Sequence, residues 1–275
     1  MPSLYVVATP IGNLEDISLR ALRVLKEVGL IAAEDTRKTV RLLSRYEIKT
    51  PMTSFYEHSK LAKVDYILGV LENKDVAIVS EAGMPGISDP GYELITAAIE
   101  RNIPVVPVPG PSAVITALAV SGLPAERFTY IGFLAHKQGE RKKQIESVAN
   151  EPGVIVAFET PHRIEAALKD VLEVLGDRRI AVCRELTKLH EEIYRGTVAG
   201  AITHFSEPRG EFTLVIEGSR EKEKPPEAVN VREKVAKLIN EGASAKEAVI
   251  ALAAETGMPK KELYRLFLEI KNKKE

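Results

Sequence analysis

Short apolar runs alternate with longer amphipathic stretches through the first half of the chain. The runs have the length of buried strands, and the stretches repeat apolar residues at helical spacing. The predicted strands cover residues 4–8, 30–33, 76–79 and 105–108, and the predicted helices cover residues 17–28, 61–71, 93–99 and 113–120. This alternation predicts βαβ units around a mostly parallel sheet. Each strand is followed by a polar or glycine-rich loop, which is where open α/β sheets bind ligands.

A turn-forming segment at residues 121–124 separates this half from a second half with a similar pattern. There the predicted strands cover residues 128–133, 154–158, 180–184, 192–196 and 212–216, and the predicted helices cover residues 137–148 and 162–175. A charged, proline-rich linker follows, and then amphipathic stretches with the proportions of a helix–turn–helix. The expected organisation is an N-terminal α/β domain at 1–122, a C-terminal α/β domain at 123–219, a linker at 220–227 and a helical tail at 228–275.

The charge of the chain is nearly balanced, with a formal net charge of −1 over 275 residues. Proteins that bind nucleic acid usually carry a basic surface, so this balance argues mildly against such a partner. The tail is more basic, with ten Lys and Arg against seven Glu, and is predicted either to contact RNA or DNA or to act as a packing or dimerisation module. A second basic stretch either meets RNA phosphates or forms a solvated helix face. It comprises Lys137, Arg141, Lys142 and Lys143.

Residue usage argues against several classes of protein. The single cysteine, Cys183, cannot form an internal disulfide, and its apolar neighbours predict a buried structural thiol. The five histidines are scattered without the spacing of a zinc site, so no metal is expected. No apolar stretch approaches the roughly 20 residues of a membrane span, and the start lacks a basic signal-peptide region, so a cytoplasmic protein without a membrane partner is expected. The absence of P-loop and GxGxxG spacing argues against an NTPase or a classical dinucleotide enzyme.

Three loops after first-half strands are candidates for a ligand site, at residues 8–17, 80–91 and 108–114. The middle loop is the most informative, because three glycines and two prolines in twelve residues expose backbone groups between Glu81 and Asp89. Such carbonyls and carboxylates suit a cationic sulfonium or the hydroxyls of a ribose. A rigid surface loop would have a similar composition, so both interpretations stay open.

Polar residues at the predicted helix starts also allow two interpretations. Ser18 and Ser112 stand where helix caps are expected, and the free N–H groups after Ser112 are equally suited to face a ligand. Residues 34–37, Glu-Asp-Thr-Arg, form either a helix start with favourable acids or a polar cluster that handles the substrate. In the second half, residues 158–163 and 184–188 likewise place polar groups directly after strands. Two such edges facing each other would make a cleft.

Eight motifs occur in one order along the chain and together resemble a known family. They are VATPIGNLEDIS, AAEDTR, SEAGMPGISDPGYELI, VPVPGPSAVITALAVSGLP, YIGFL, FETPHRI, CRELTK and GEFTLVIEG. Over about residues 3–218 the chain resembles the ribosomal RNA small subunit methyltransferase I family, within the tetrapyrrole methylase superfamily. Where the family's middle loop begins Ser-Asp-Ala-Gly-Thr, this chain has Glu81 and Met84, and Ala135 stands in place of a usual proline.

The resemblance implies a two-domain α/β fold of the tetrapyrrole-methylase type, which is the class III AdoMet methyltransferase fold, with a small C-terminal helical extension. It implies S-adenosyl-L-methionine (AdoMet) as the cofactor, bound in the cleft between the two α/β domains. The implied cofactor contacts are Pro10, Ile11, Glu81, Gly83, Met84, Ser112, Ala113, Phe158, Glu185, Phe212 and Thr213. The implied reaction is 2′-O-methylation of a decoding-centre cytidine of 16S rRNA, in the small ribosomal subunit, by a homodimer.

A ribose hydroxyl is a poor nucleophile, so an acceptor for its proton is expected to help the transfer. Asp35 or Asp89 is the candidate, with Arg37 placing a phosphate by a bidentate contact, because these residues follow strands that face the expected cleft. Two alternatives remain within the superfamily: methylation of a tetrapyrrole or a modified protein residue, and binding of AdoMet and RNA without catalysis. The motifs AAEDTR, FETPHRI and CRELTK favour the ribosomal RNA enzyme.

Overall fold

The computed structural model divides the chain into two compact units, Met1–Ser219 and Arg220–Glu275. It describes residues 1–55, 61–87, 89, 91–206, 208–219, 231–240, 243–256 and 258–272. The predicted linker at residues 220–227 lies outside these described residues. No helix within the described ranges has the length and apolarity that a bilayer crossing needs.

The first sheet of the larger unit has five parallel strands with helices on both faces. The strands are β1 (Leu4–Val7), β2 (Leu30–Ala33), β3 (Met52–Ser54), β4 (Val76–Val79) and β5 (Val105–Val108), and the helices are α1 (Leu19–Glu27), α2 (Thr36–Arg45), α3 (Leu61–Leu71) and α4 (Tyr92–Glu100). The strand order is β3-β2-β4-β1-β5. Helices α1 and α2 pack on one face and α3 and α4 on the other, so β2 and β4 are buried at every residue. Because all five strands run parallel, their carboxyl ends meet at one edge of the sheet.

The second sheet is mixed, with one parallel pair and three antiparallel pairs. Its strands are β6 (Phe128–Phe133), β7 (Val154–Glu159), β8 (Arg179–Arg184), β9 (Glu192–Thr197) and β10 (Phe212–Ile216), and its helices are α6 (Gln138–Ser147), α7 (Ile164–Leu175) and α8 (Val198–His204). The order is β6-β7-β10-β8-β9, and only β6 and β7 run parallel. Helices α6, α7 and α8 cover one face, and the central strand β10 is buried along its whole length.

Helix α5 (Ala113–Ser121) connects the two sheets. It follows β5 of the first sheet directly, yet its apolar residues Val114, Ala117 and Leu118 pack on the second sheet. Gly122 ends the helix in the left-handed conformation, at φ 74°, which a glycine adopts without steric cost. The predicted turn at residues 121–124 is therefore the C-cap of a helix that belongs by packing to the second sheet.

In the residues that the structure describes, the smaller unit has three helices, where the amphipathic stretches predict two or three: α9 (Val231–Asn240), α10 (Ala245–Thr256) and α11 (Lys260–Asn272). They enclose a core of their own, which comprises Val235, Ala248, Val249, Leu252, Leu263 and Phe267. A capping box starts α10: Ser244 Oγ accepts the Glu247 N–H, and Glu247 Oε2 accepts the Ser244 N–H at 3.0 Å. Helices α10 and α11 give this unit the predicted helix–turn–helix proportions.

Two of the four basic residues at positions 137–143, Arg141 and Lys142, pair with acidic residues of α7. The Arg141 side chain is 5% exposed and forms a salt bridge with Asp170, which is 2% exposed, at 2.6 Å. Arg141 also donates to the carbonyls of Ala135 and His136. The prediction that Arg141 meets RNA phosphates is therefore wrong, because this guanidinium is buried and fully occupied by partners within the fold.

Candidate functional site

A cavity of about 400 Å³ lies where the carboxyl ends of the first sheet's strands face the second sheet, a size typical of small-molecule sites. Its lining comprises Ile11, Glu34, Glu81, Ala82, Gly83, Met84, Ile87, Asp89, Ser112, Ala113, Val114, Phe133, Phe158, Glu159, Thr160, Cys183, Leu186, Lys188, Glu211, Phe212 and Thr213. All three loops that the sequence singles out in the first half contribute to this lining. The buried thiol of Cys183 is also among these residues, and burial raises its pKa to about 11.

The loops after β1 and β4 are held together by a pair of backbone hydrogen bonds. The Thr9 N–H donates to the Gly83 carbonyl at 2.9 Å, and the Gly83 N–H donates to the Thr9 carbonyl at 3.0 Å. Gly83 adopts φ +83°, a left-handed conformation that favours glycine. This pairing brings Ile11 and Met84 to the cavity, whereas Pro10 is buried beside Ile11 and is not part of the lining.

Aromatic side chains of the second sheet form the apolar part of the cavity wall. The ring of Phe158 meets that of Phe133 edge-on with centroids 5.4 Å apart. Phe158 pairs in register with Thr213 of β10, and the neighbouring Phe212 is buried. The predicted contacts Phe158, Phe212 and Thr213 therefore lie together along one wall. Ser112 and Ala113 approach from the start of α5, where Ser112 Oγ also caps the helix by accepting the Ile115 N–H.

The loop after β8 carries the one basic side chain among the lining residues described. Glu185 and Thr187 both have positive φ, at 51° and 67°, and this backbone directs Leu186 and Lys188 to the cavity. Glu185 does not line the cavity. Its Oε1 accepts from Lys188 Nζ at 2.8 Å and from the Glu211 N–H at 2.9 Å, and so it positions two residues that do.

Gly12 marks the closest approach between the loop after β1 and the loop after β8. A methyl group on its Cα would lie 2.5 Å from Lys188 Cγ and 2.9 Å from the Leu186 carbonyl oxygen. We expect Gly12→Ala to lower the free energy of unfolding by about 1–3 kcal/mol, since overpacked contacts must shift to make room. Urea unfolding measures this, with Gly139→Ala as the matched control because nothing lies within 4 Å of the added methyl there. Equal stability of the two variants would contradict the contact.

Carboxylates outnumber bases in the cavity lining. Five of its described lining residues are carboxylates and Lys188 is the single base among them, although Glu81, Glu159 and Glu211 form salt bridges with basic side chains. Glu34 Oε2 accepts the Glu81 N–H at 2.9 Å, and the Glu81 carboxylate pairs with Lys38 at the rim. A lining of this kind favours a ligand that carries positive charge and disfavours one that carries negative charge.

Asp89 is the lining carboxylate whose protonation is most perturbed. Burial raises its pKa to about 6, and the nearby charge of Glu34 adds to the increase, while a hydrogen bond with Ser80 acts in the opposite direction. A carboxylate with such a pKa is still mostly ionised at neutral pH, and it is a better proton acceptor than an ordinary aspartate. Asp89 therefore lies in the cavity and is basic enough to accept a proton from a bound ligand.

The other two predicted catalytic residues lie outside the cavity lining. Asp35 is the N-cap of α2: its Oδ1 accepts the N–H groups of Arg37 at 2.8 Å and Lys38 at 3.3 Å. The hydrogen bond from the Arg37 backbone holds the pKa of Asp35 below its ordinary value. The Arg37 side chain is exposed at the first turn of the same helix. Residues 34–37 thus combine both predicted roles: Asp35 caps the start of α2, and Glu34 lines the cavity.

Glu159 lines the cavity, although the sequence analysis does not single it out within the motif FETPHRI. Its side chain is fully buried, and Oε1 binds Arg163 at 2.7 Å and the Thr160 N–H at 2.7 Å. Its Oε2 has no hydrogen-bond partner among the described residues, and burial raises the pKa of this carboxyl. Lys188, Leu186 and Glu211 also line the cavity and were not singled out. For Glu159, Leu186 and Lys188 the available signal was the polar segment directly after an apolar strand, whereas Glu211 stands directly before β10 and carried no such signal.

Comparison with known proteins places this fold and site in a family. Residues 3–202 match the family model of Tetrapyrrole (Corrin/Porphyrin) Methylases. The crystal structure of uroporphyrin-III-C-methyltransferase from Thermus thermophilus is similar in fold, with a TM-score of 0.57 and 19% identity over 79% of this chain and 94% of that one.

Curated relatives match more closely in sequence. Ribosomal RNA small subunit methyltransferase I of Halalkalibacterium halodurans is 43% identical over 272 residues, which is 96% of this chain and 94% of the relative. The protein of the same name in Thermotoga maritima is 50% identical over 221 residues, 79% of this chain and 99% of the relative. The chain therefore belongs to the tetrapyrrole methylase family and, within it, to the ribosomal RNA small subunit methyltransferase I family.

Proposed function

We propose that this protein transfers a methyl group from AdoMet to the 2′-oxygen of a cytidine ribose in the decoding centre of 16S rRNA. The observation that carries the proposal is the acidic, aromatic-walled cavity at the strand ends, in a chain 43% identical to a ribosomal RNA small subunit methyltransferase. The proposal extends to the assembled small subunit as substrate and to a homodimer as the working form.

The residues of the cavity fit AdoMet in charge, shape and size. The sulfonium and ammonium groups are cationic and suit a lining with Glu34, Glu81 and Asp89. The apolar parts of the molecule suit the wall made by Ile11 and Phe158, and the volume of about 400 Å³ lies within the range of small-molecule sites. When bound, AdoMet supplies the methyl group and a good neutral leaving group.

The protein's own contribution is alignment, exclusion of water and acceptance of a proton. Loops from both sheets surround the cavity, so they can hold the attacking oxygen in line with the methyl group. We assign proton acceptance to Asp89 rather than Asp35, because Asp35 already accepts two backbone N–H groups as a helix cap. Asp89 lies in the cavity, and its pKa of about 6 suits it to draw the proton from a ribose hydroxyl.

The raised pKa of Asp89 predicts how activity depends on pH. Above pH 6 the carboxylate is ionised and able to accept a proton, and below pH 6 it becomes protonated and loses this ability. We therefore expect kcat/KM for methyl transfer, which reports ionisation of the free enzyme, to fall as the pH is lowered through about 6, with a slope of one proton. Single-turnover rates at AdoMet concentrations well below saturation measure this directly. A flat profile between about pH 5 and pH 8 would count against Asp89 as the acceptor.

The direct test of the function is transfer of tritiated methyl from AdoMet to small ribosomal subunits that lack the modification, followed by nucleoside analysis. The expected product is labelled 2′-O-methylcytidine. Binding of AdoMet is measured in parallel by calorimetry. If AdoMet binds and neither subunits nor free 16S rRNA become labelled, the reaction on RNA is refuted, and the tetrapyrrole, protein-residue and binding-protein alternatives take its place.

A further inference from the structure

Helix α2 carries an unusual concentration of positive charge. Its ten residues, TRKTVRLLSR, include Arg37, Lys38, Arg41 and Arg45 and no acidic residue, in a chain whose net charge is −1. All four basic side chains are exposed, whereas Thr39, Leu42 and Leu43 form the buried face of the helix. The positive charge is therefore confined to the solvent face of one helix.

Three of these residues form a line along the helix, which we call the arginine stripe: Arg37, Arg41 and Arg45. Residues spaced by four lie on the same helix face, one turn apart, so the three guanidinium groups follow one another along the surface. None of the three side chains makes a hydrogen bond or a salt bridge with any residue in the part of the chain that the structure describes. Their donors are thus available to a partner outside the fold.

The stripe is not explained by the stability of α2. Positive side chains in the first turn of a helix face the positive end of its dipole, which costs stability. Arg37 and Lys38 both occupy that turn, which has no acidic residue; the N-cap Asp35 lies beside them, and Lys38 pairs with Glu81, so Arg37 is the cation that the fold compensates least. A sequence chosen for helix stability alone would place acids there, so these cations serve another purpose.

The helix that carries the stripe begins next to the cavity. Glu34, just before α2, lines the cavity, and Lys38 in the first turn pairs with Glu81, which also lines it. The cavity itself offers phosphate little attraction, because Lys188, the one basic residue among its described lining, is already paired with Glu185 and Glu211. A polyanionic strand that presents a ribose to this cavity must therefore keep its phosphates outside, on a positive surface next to the mouth.

We propose that the arginine stripe binds the phosphodiester backbone of the RNA strand whose ribose enters the cavity; this rests on the proposed function. Arginine suits the role because its planar guanidinium makes bidentate contacts with phosphate oxygens. The stripe supplies affinity for the strand and, as a set of phosphate contacts, carries no base specificity.

The test uses the full chain with Arg41→Gln and Arg45→Gln combined, which leaves Arg37 and the cavity unchanged. The matched control is Lys137→Gln with Lys143→Gln, which removes two exposed positive charges, one from the residue just before α6 and one from α6 itself. Binding of a labelled 16S rRNA fragment is followed by fluorescence anisotropy between about 50 and 200 mM salt. AdoMet affinity and thermal unfolding are measured on the same samples.

The stripe variant is expected to bind RNA about tenfold more weakly, with the slope of log K against log salt reduced by about 1.4 for two lost phosphate contacts. Its KM for RNA rises, while kcat, AdoMet affinity and the unfolding temperature stay at the wild-type values. The control is expected to lose less than threefold in RNA affinity. An unchanged slope in the stripe variant, or equal losses in stripe variant and control, overturns the proposal.

The RNA-binding measurement also separates this proposal from the proposed function. If the wild-type protein binds AdoMet and RNA but labels no RNA, the proposed methyl transfer is refuted. The salt dependence of RNA binding by the stripe variant still decides whether the stripe binds the RNA backbone. If labelling succeeds and the stripe variant keeps wild-type KM and salt slope, the stripe fails alone.

Discussion

Replacing Asp89 with asparagine is expected to lower kcat by about 10²–10⁴-fold, the range typical for loss of a general base. The amide keeps the shape of the side chain but cannot accept a proton from the ribose hydroxyl. AdoMet affinity is expected to change much less than kcat, because other carboxylates of the lining remain. Single-turnover transfer of tritiated methyl to unmodified small subunits gives kcat, and calorimetry gives the affinity.

The same variant should be more stable than the wild-type protein at pH 7. The folded state raises the pKa of Asp89 from its ordinary value of 3.8 to about 6, so it holds the proton more tightly than the unfolded chain does. Stability is therefore lost as the pH rises through this range, and asparagine removes that cost. A higher unfolding temperature together with lower kcat would separate a lost catalytic group from a damaged fold.

Asp35→Asn is the control for this assignment. Asparagine is as good a helix N-cap as aspartate, so α2 should keep its start and the variant should keep wild-type kcat at saturating RNA. If Asp35→Asn loses turnover and Asp89→Asn retains it, the two assignments must be exchanged.

Replacing Asp170 with alanine is expected to lower the free energy of unfolding by about 3–5 kcal/mol, because removal of one partner leaves the other buried charge uncompensated. Asp170 accepts from Arg141 Nε at 2.7 Å and from Gln138 at 3.0 Å, and both ionic side chains are almost fully buried. Urea unfolding followed by circular dichroism measures the loss.

Two further variants test whether the effect comes from the buried charge. Lys169→Ala removes the neighbouring exposed side chain on α7, whose salt bridge with Glu165 should be worth less than about 1 kcal/mol. Replacing both members of the pair, Asp170→Leu with Arg141→Met, should recover much of the stability, since apolar side chains of similar size can substitute for a buried ion pair. A loss below about 1 kcal/mol in Asp170→Ala would contradict the argument.

Where a strand is a continuous apolar run, the sequence predicts both the strand and its first and last residues. The predicted strands at 30–33, 76–79, 105–108 and 212–216 have the observed bounds, and Ser18 caps α1 by accepting the Ala21 N–H, as its position suggests. The strands at 30–33, 76–79 and 212–216 are buried along their whole length, so burial and sequence pattern coincide there, whereas β5 at the edge of its sheet is only partly buried.

Elements with weak patterns were missed. Strand β3 has three residues, all half-buried, and α8 is a seven-residue helix rich in small side chains. Neither is long enough for a period to stand out. The second sheet is mostly antiparallel, and strand direction cannot be deduced from a run of apolar residues.

The location of the site could also be predicted, because polar segments after strands mark the ligand-binding edge of such sheets. The roles of individual residues could not. Two neighbouring acids have different roles: Glu34 lines the cavity, whereas the Asp35 side chain accepts backbone N–H groups at the start of α2. Lys188 reaches the cavity because Glu185 and Thr187 adopt left-handed conformations, which are uncommon for non-glycine residues.

The packing of α5 ties one wall of the cavity to the second sheet. Since the apolar face of this helix packs on that sheet, Ser112 and Ala113 at its start are anchored to it, although they follow β5 of the first sheet. The segment between β5 and Ser112 is Pro109-Gly110-Pro111, and its two prolines restrict the backbone there. The loop after β1 is also joined to the second sheet, because the Asn13 N–H donates to Thr187 Oγ1 at 3.0 Å. The chain thus staples the two sheets together on two sides of the cavity.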